Sequence, residues 1–548
     1  SPAGTDQVGR MAAAAGRKRR TLKLLACALA LLIAKPLLSQ DMHPTPARSF
    51  GEGPYPTLVI RGATLIPGNG GPPVGPADIV VRNGRIAEIR SAGTPGLPMQ
   101  PNRNPQSASR EIDATGMYVL PGFVDMHGHN GDPDKVADPS YAYRLWLAHG
   151  VTTIRGVPLF GGDVAHALSD KRRAEAGEIA APHIYVYQTL GSGWANGPTD
   201  TPQKARAWVR WAARQGVDGI KFFNRGVETP EIDRAAIDEA KKYGMGTVAH
   251  LAQPNIVEFD ARDAAAAGLG TITHFYGHFE SMLKGRRAQD MPPGYNFNDE
   301  QARFGGIAEI WNQIHEPGGP EWVAYLEEQK KTGVVFDPTF NIYSASRDLM
   351  RARNADWHQR YTPPSMTRFF ESNRDNHGSY FFDWTTTNEV TWRNFYQRYM
   401  RLVNDYKNMG GRVTTGSDPG FIWQIWGFSY ILELEMLQEA GFSPIEVIEA
   451  ATINGAKTLS EPKGREPDFG LVRTGMRADL VIVPENPLQN LKTLCGSGHE
   501  RLDDATNRQK RVGGVRWTIV NGIVYDAPAL LNSVAAQVEQ AKAATPQP

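Results

Sequence analysis

The stretch Val119-Leu-Pro-Gly-Phe-Val-Asp-Met-His-Gly-His129 begins as a short apolar run and ends in two histidines one residue apart. In an extended chain residues i and i+2 point to the same side, so His127 and His129 can reach one point beyond the end of the run. Alone, such a pair is weak, because two polar residues leaving a strand for solvent read the same way. Repetition downstream gives it weight. Apolar runs recur at 123–126, 152–157, 183–188, 219–223, 246–251, 271–276, 334–339 and 412–417. Helical patterns separate them, such as residues 233–243, capped by Gly244. This alternation is the signature of βαβ units on a parallel sheet. Eight units predict an α/β protein built on a closed (β/α)8 TIM barrel, a fold that places its chemistry at the C-terminal ends of the strands.

That rule can be tested on the same sequence. Lys221 lies in the fourth run, His250 follows 29 residues later near the end of the fifth, and His274 a further 24 residues on, near the end of the sixth. Asp418 ends the eighth run in Thr414-Thr-Gly-Ser-Asp-Pro-Gly420. Four imidazoles and a carboxylate at strand ends suit a borderline divalent ion such as Zn²⁺. Lys221, in an apolar strand, is otherwise costly to bury. Beyond these positions, Arg225 follows the fourth run and is either a fork for a substrate carboxylate or a surface loop residue. Tyr276 and His278 follow the sixth run, and His278 either polarises a carbonyl or is a loop histidine. Tyr343 and Trp423 follow the seventh and eighth runs and either line a substrate pocket or pack in the core. His166, His315, His358, His377 and His499 have no motif context and read as structural.

At this point the chain resembles the metal-dependent amidohydrolase superfamily, in its imidazolonepropionase- and prolidase-like branch. The resemblance rests on residues 119–129 together with Gly216-Val-Asp-Gly-Ile-Lys-Phe-Phe223, Gly246-Thr-Val-Ala-His250, Thr271-Ile-Thr-His274, Thr415-Gly-Ser-Asp-Pro419, Ala451-Thr-Ile-Asn-Gly-Ala-Lys-Thr-Leu459 and Gly475-Met-Arg-Ala-Asp-Leu-Val-Ile-Val483. It implies two divalent metal ions bridged by a carboxylated Lys221, with His127, His129 and Asp418 completing one ion and His250 and His274 the other. It also implies a metal-activated hydroxide that cleaves a C–N bond, with Asp418 as general base and His278 as a further catalytic candidate; Arg225, Tyr276, Tyr343 and Trp423 are substrate-binding candidates. The expected substrate is a small amide, such as an acyl-amino acid or a dipeptide-like compound. A prolidase-like dipeptidase or a lactone or ester hydrolase is the alternative, and a catalytically silent barrel scaffold is the alternative from a different class. Two departures weigh against a dipeptidase. After His250, where related dipeptidases usually read His-Ala-His-Gly, this chain reads Leu251-Ala-Gln-Pro-Asn255, and Ile154-Arg-Gly156 lacks the Asp often found after that Arg.

The remainder of the 548 residues organises around this barrel. Residues 1–40 read as a leader: a basic cluster Arg17-Lys18-Arg19-Arg20 precedes an apolar run of 11 residues from Leu24 to Ala34. That run is short of the about 20 residues a spanning helix needs, so a signal peptide and an exported, periplasmic or secreted protein are expected, with no stable membrane association after its removal. Residues 41–56 read as linker, and 57–119 and 465–526 as two parts of one small β-sandwich, each with an Asn-Gly hairpin turn, at Asn83-Gly84 and Asn521-Gly522. The barrel takes 120–460, with insertions at about 279–331 and 342–408, and 527–548 form a C-terminal tail. The second insertion is dense in aromatic residues between Trp357 and Tyr399, which predicts a lid over the barrel mouth or a contact in a homo-oligomer. Without the leader the net charge is about −5, with no basic stripe, which excludes nucleic acid as a partner. Only Cys495 remains beyond the leader, so an intrachain disulfide is excluded there. No Gly-x-Ser-x-Gly elbow, His-Glu-x-x-His pair or phosphate-binding loop motif is present, and serine hydrolase, zincin and nucleotide-hydrolase chemistries fall away.

Overall fold

The computed structural model describes residues 42–130, 133–156, 164–224 and 226–545. The leader and Arg225 lie outside the described residues. Five strands come first: β1 (Thr57–Leu65), β2 (Val74–Arg82), β3 (Arg85–Ser91), β4 (Arg110–Asp113) and β5 (Tyr118–Pro121). Seven parallel strands follow in sequence order: β6 (Phe123–Gly128), β7 (Val151–Gly156), β8 (His183–Thr189), β9 (Gly219–Phe222), β10 (Gly246–Ala249), β11 (Thr271–Thr273) and β12 (Val335–Asp337). Nearly every residue of these seven is buried, as expected of strands covered on both faces.

The eighth run closes the barrel with a minimum of regular pairing. Val413 forms a single parallel bridge to Phe336 in β12. Thr414 N donates to Phe336 O at 3.0 Å on one side; on the other, Met126 N donates to Thr415 O at 2.8 Å and Asp418 N to His127 O at 2.8 Å. The segment is therefore wedged between the first and seventh strands. Gly416 is required there, because a Cβ would stand 2.7 Å from both the Asp337 carboxylate and the His127 side chain. Asp125 reinforces the closure by accepting from Ser417 N at 3.0 Å, His127 N at 3.1 Å and Trp146 Nε1 at 2.9 Å.

The strands at both ends of the chain join in one continuous eight-stranded sheet. Added to β1–β5 are β13 (Leu480–Val483), β16 (Trp517–Val520) and β17 (Ile523–Asp526), in the order β17-β16-β13-β5-β1-β2-β3 with β4 beside β1. Between β13 and β16, β14 (His499–Asp503) and β15 (Arg508–Val512) form a separate hairpin. Asn83-Gly84 and Asn521-Gly522 all take positive φ and turn β2 into β3 and β16 into β17. Since β5 runs within two residues into β6, register in this sheet positions the opening strand of the barrel.

Segments at both ends are tied to the body. Arg48 Nε donates to Gly177 O at 2.9 Å and its Nη groups to Gly51 O and Gly53 O, so the Pro- and Gly-rich stretch before β1 is anchored rather than loose. The closing helix Ala527–Ala544 is capped by Asp526 and buries Leu530, Leu531, Val534 and Val538, and its Ser533 Oγ accepts from Arg144 at 2.9 Å. The aromatic density of the second insertion is largely satisfied within the same chain. The 23-residue helix Thr386–Asn408 buries Trp392, Phe395, Tyr396, Tyr399 and Tyr406 against the barrel wall. Tyr396 OH donates to Phe340 O and Tyr406 OH to Val334 O, both at 2.6 Å.

Candidate metal centre

The strand ends bring His127, His129, Lys221, His250, His274 and Asp418 to one cavity of about 340 Å³. His127 and His129 face each other through their Nε2 atoms at 3.2 Å. Asp418 Oδ1 lies 2.9 Å from His129 Nε2 and 3.5 Å from His127 Nε2, and Asp418 Oδ2 is 3.6 Å from His274 Nε2. The His274 ring stands 4.9 Å from that of His127 and 4.7 Å from that of His250. Both His274 (φ 65°) and Asp418 (φ 47°) sit in the left-handed region, a strained backbone that aims each side chain sharply inward where its strand ends.

Two threonines set the imidazole tautomers. Thr273 Oγ1 donates towards Asp337 Oδ2 at 3.4 Å and so accepts from His127 Nδ1 at 2.9 Å. Thr339 Oγ1 donates to Pro338 O at 2.6 Å and accepts from His274 Nδ1 at 2.5 Å. With Nδ1 carrying the proton in both rings, Nε2 presents a lone pair to the shared point. Burial, then the charge of Lys221, keeps His127 well below its ordinary pKa, and burial pushes His274 down to about 3. Burial also lowers Lys221 to about 7. For Asp418 burial opposes ionisation, but the hydrogen bond and charge of His129, then His274 and Lys221, hold the carboxyl below the usual range. Lone pairs on the His127 and His274 Nε2 atoms beside an ionised carboxylate suit a divalent ion, and one ring nitrogen each of His127 and His129 and a carboxylate oxygen of Asp418 lie within 4.8 Å of one another. His127, His129 and Asp418 fit a divalent metal ion.

Behind the ligands sits a layer of buried charge. Arg155 donates to Met126 O at 2.7 Å and to Thr271 Oγ1 at 3.2 Å, and its Nη2 lies 3.6 Å from Asp337. Burial raises Asp337 and Asp125 each to about 6.

Other sequence candidates divide. Tyr276 stacks on His250 with ring centroids 4.6 Å apart, and its hydroxyl meets that of Tyr343 at 3.1 Å; both line the cavity. His278 does not reach it. Gly277 takes φ 90° and turns the chain, so His278 packs into the barrel wall 4.3 Å from the Phe336 ring, with Nδ1 2.6 Å from Tyr325 OH. His278, a catalytic candidate from sequence, is therefore not among the residues that line the cavity. Trp423 is likewise turned away by positive φ at Ile422 and itself, and packs against Phe370 and His358 as core. His377, read as structural, reaches the cavity from the second insertion and pairs with Glu300 of the first. Lys135, Gln253, Phe297 and Phe421 also line the cavity from loops, and Arg303 and Phe304 from the helix Glu300–Ile307 of the first insertion, all away from the strand ends. A larger cleft of about 860 Å³ beside Arg347, Trp357 and Arg511 contains none of the converging ligands.

Fold and site together describe an α/β barrel whose strand ends converge on a possible metal-binding cluster. Residues 394–524 match the amidohydrolase family model. The chain is 37% identical over 150 residues to N-acyl-D-aspartate deacylase of Alcaligenes xylosoxydans xylosoxydans, spanning about a quarter of each protein. It is 22% identical over 489 residues to ochratoxinase of Aspergillus niger, covering 79% of this chain and 82% of that one. Among solved structures it superposes on the bottromycin amidohydrolase with a TM-score of 0.60 at 20% identity, covering 88% of this chain and 90% of the other. These likenesses, to the amidohydrolase family over residues 394–524 and to hydrolases over longer stretches, support a hydrolase of the amidohydrolase kind.

Proposed function

We propose that this protein is a binuclear metal-dependent amidohydrolase that cleaves the amide bond of a small substrate of the acyl-amino-acid or dipeptide-like class. The observation that carries the reading is the convergence of four imidazoles, Lys221 and Asp418 on one cavity at the C-terminal ends of the strands. His127, His129 and Asp418 would hold one ion and His250 and His274 the other, with a carboxylated Lys221 supplying the anionic oxygens between them. When bound, the ions, of which Zn²⁺ suits this donor set best, supply Lewis acidity that polarises a carbonyl and brings the pKa of water near neutrality.

The chain's own residues do the rest. Asp418, kept ionised by its neighbours, takes the proton of the attacking water and returns it to the leaving nitrogen. The Tyr276 and Tyr343 hydroxyls, 3.1 Å apart on the cavity wall, offer a hydrogen bond to the substrate beside the scissile bond. The aromatic wall of Phe297, Phe304 and Phe421 excludes water and favours an apolar side chain. The relatives support this reading, since a deacylase and an amidohydrolase are named among them. A panel of N-acyl-amino acids, dipeptides and lactones, incubated with the zinc-loaded protein, tests it. Release of free amine from the amides is expected; turnover confined to lactones would overturn the amide assignment.

A further inference from the structure

The cavity is built asymmetrically. Asp418 is the one carboxylate among its described lining residues and stands with the histidines, whereas Arg303, Lys135 and Gln253 come from segments outside the barrel strands. Gln253 is the most telling of these. Its Oε1 accepts from Tyr295 OH at 2.6 Å, which fixes the amide, and its Nε2 is buried with no hydrogen-bond partner. An unsatisfied buried donor costs about 1–3 kcal/mol, so an acceptor arriving with a ligand would remove a standing penalty.

Arg303 is held ready in the same cavity. Its guanidinium lies 5.0 Å from the Phe297 ring and 4.9 Å from the Phe304 ring, and Nη2 donates to Glu300 Oε1 at 2.9 Å. That contact uses one of its five N–H donors. The second insertion braces the arrangement, because His377 also pairs with Glu300. Lys135 adds positive charge, its ammonium 3.6 Å from the Phe421 ring centre. Fixed guanidinium and amide donors match a planar carboxylate, which accepts hydrogen bonds at two oxygens.

We propose that Arg303 and Gln253, with Lys135 in support, form an anion-recognition subsite that selects amides bearing a free carboxylate next to an apolar or aromatic group. The proposal rests on the amidohydrolase reading for the scissile end of the substrate, and its test is separate from turnover. Binding of 3-phenylpropanoate and of its neutral counterpart 3-phenylpropanamide is measured by calorimetry on the metal-loaded full-length protein. The wild type is expected to favour the anion on the order of tenfold, as hydrogen bonds to a charged group would give. In Arg303→Met and in Gln253→Glu, each checked for fold by circular dichroism, the affinity ratio is expected to fall to within about twofold of unity. Should the anion owe its affinity to the metal centre alone, both variants would retain the wild-type ratio, and the subsite would be wrong. A wild-type ratio near one would also overturn it. Hydrolysis of N-acetylphenylalanine is scored independently: anion preference lost in the variants, but no turnover of any amide, would leave the subsite standing and sink the amidohydrolase reading instead.

Discussion

Replacing Thr273 by Val keeps the shape of a fully buried side chain and removes one hydroxyl. That hydroxyl is the acceptor for His127 Nδ1 at 2.9 Å and the link from His127 to Asp337. Without it Asp337, 3.8 Å away, is the remaining acceptor near Nδ1 among the described residues, and a ring carrying its proton on Nε2 cannot ligate a metal towards Asp418. Loss of such an orienting partner typically costs 10–100-fold in metal affinity, or about 1.4–2.7 kcal/mol. Competition against a fluorescent zinc chelator measures this directly, with Thr273→Ser, which retains the hydroxyl, as the control. The serine variant is expected within a few fold of wild type and the valine variant at least tenfold weaker. A valine variant that binds zinc within about twofold of wild type would refute the tautomer argument.

Three further outcomes follow from the same geometry. Lys221→Ala is expected to lose binuclear loading, and added short carboxylic acids to restore part of the activity by occupying the gap; full metal content and turnover in that variant would disprove the bridging role. Asp418→Asn is expected to lower turnover by on the order of 10²-fold or more, the range of general acid–base groups, and near-wild-type rates would remove Asp418 from proton transfer. His183, where β8 meets the small sheet, lies 2.8 Å from Glu175 and 3.2 Å from Asp479; burial disfavours its charge, but Asp479 and Glu175 outweigh this and raise its pKa. A raised histidine pKa contributes stability that is fully present below its unfolded value near 6.5 and is lost as pH rises through the folded value, so the wild-type melting temperature should fall across that window more than that of His183→Gln. Parallel pH profiles would show that the cluster adds nothing.

The barrel and the converging side chains were legible because both depend on short-range pattern. A buried parallel strand is apolar along its length, so His127, His129, His250, His274 and Asp418 stand out at or near the ends of their runs, and Lys221 as a charge inside one. The eighth strand was visible as a run, yet its pairing shrinks to one bridge at Val413 because Gly416 and the Asp125 hydrogen bonds hold it by close approach instead. Where chain direction changes within a residue or two, pattern stops informing. The positive φ at Gly277 sends His278 into the wall, and those at Ile422 and Trp423 send the indole into the core. Gln253 and His377 reach the cavity from irregular segments and Arg303 from the short helix Glu300–Ile307 of the first insertion, and their placement depends on tertiary contacts such as Tyr295 with Gln253 and Glu300 with His377. No local period encodes those contacts.

If the six converging side chains hold two metal ions, the purified protein carries them. Elemental analysis of the purified full-length protein, after zinc supplementation and removal of loosely bound metal, tests it most directly. Close to two equivalents of transition metal per chain are expected, falling to one or fewer in Lys221→Ala. Wild-type protein that is folded yet retains no metal after supplementation would contradict it.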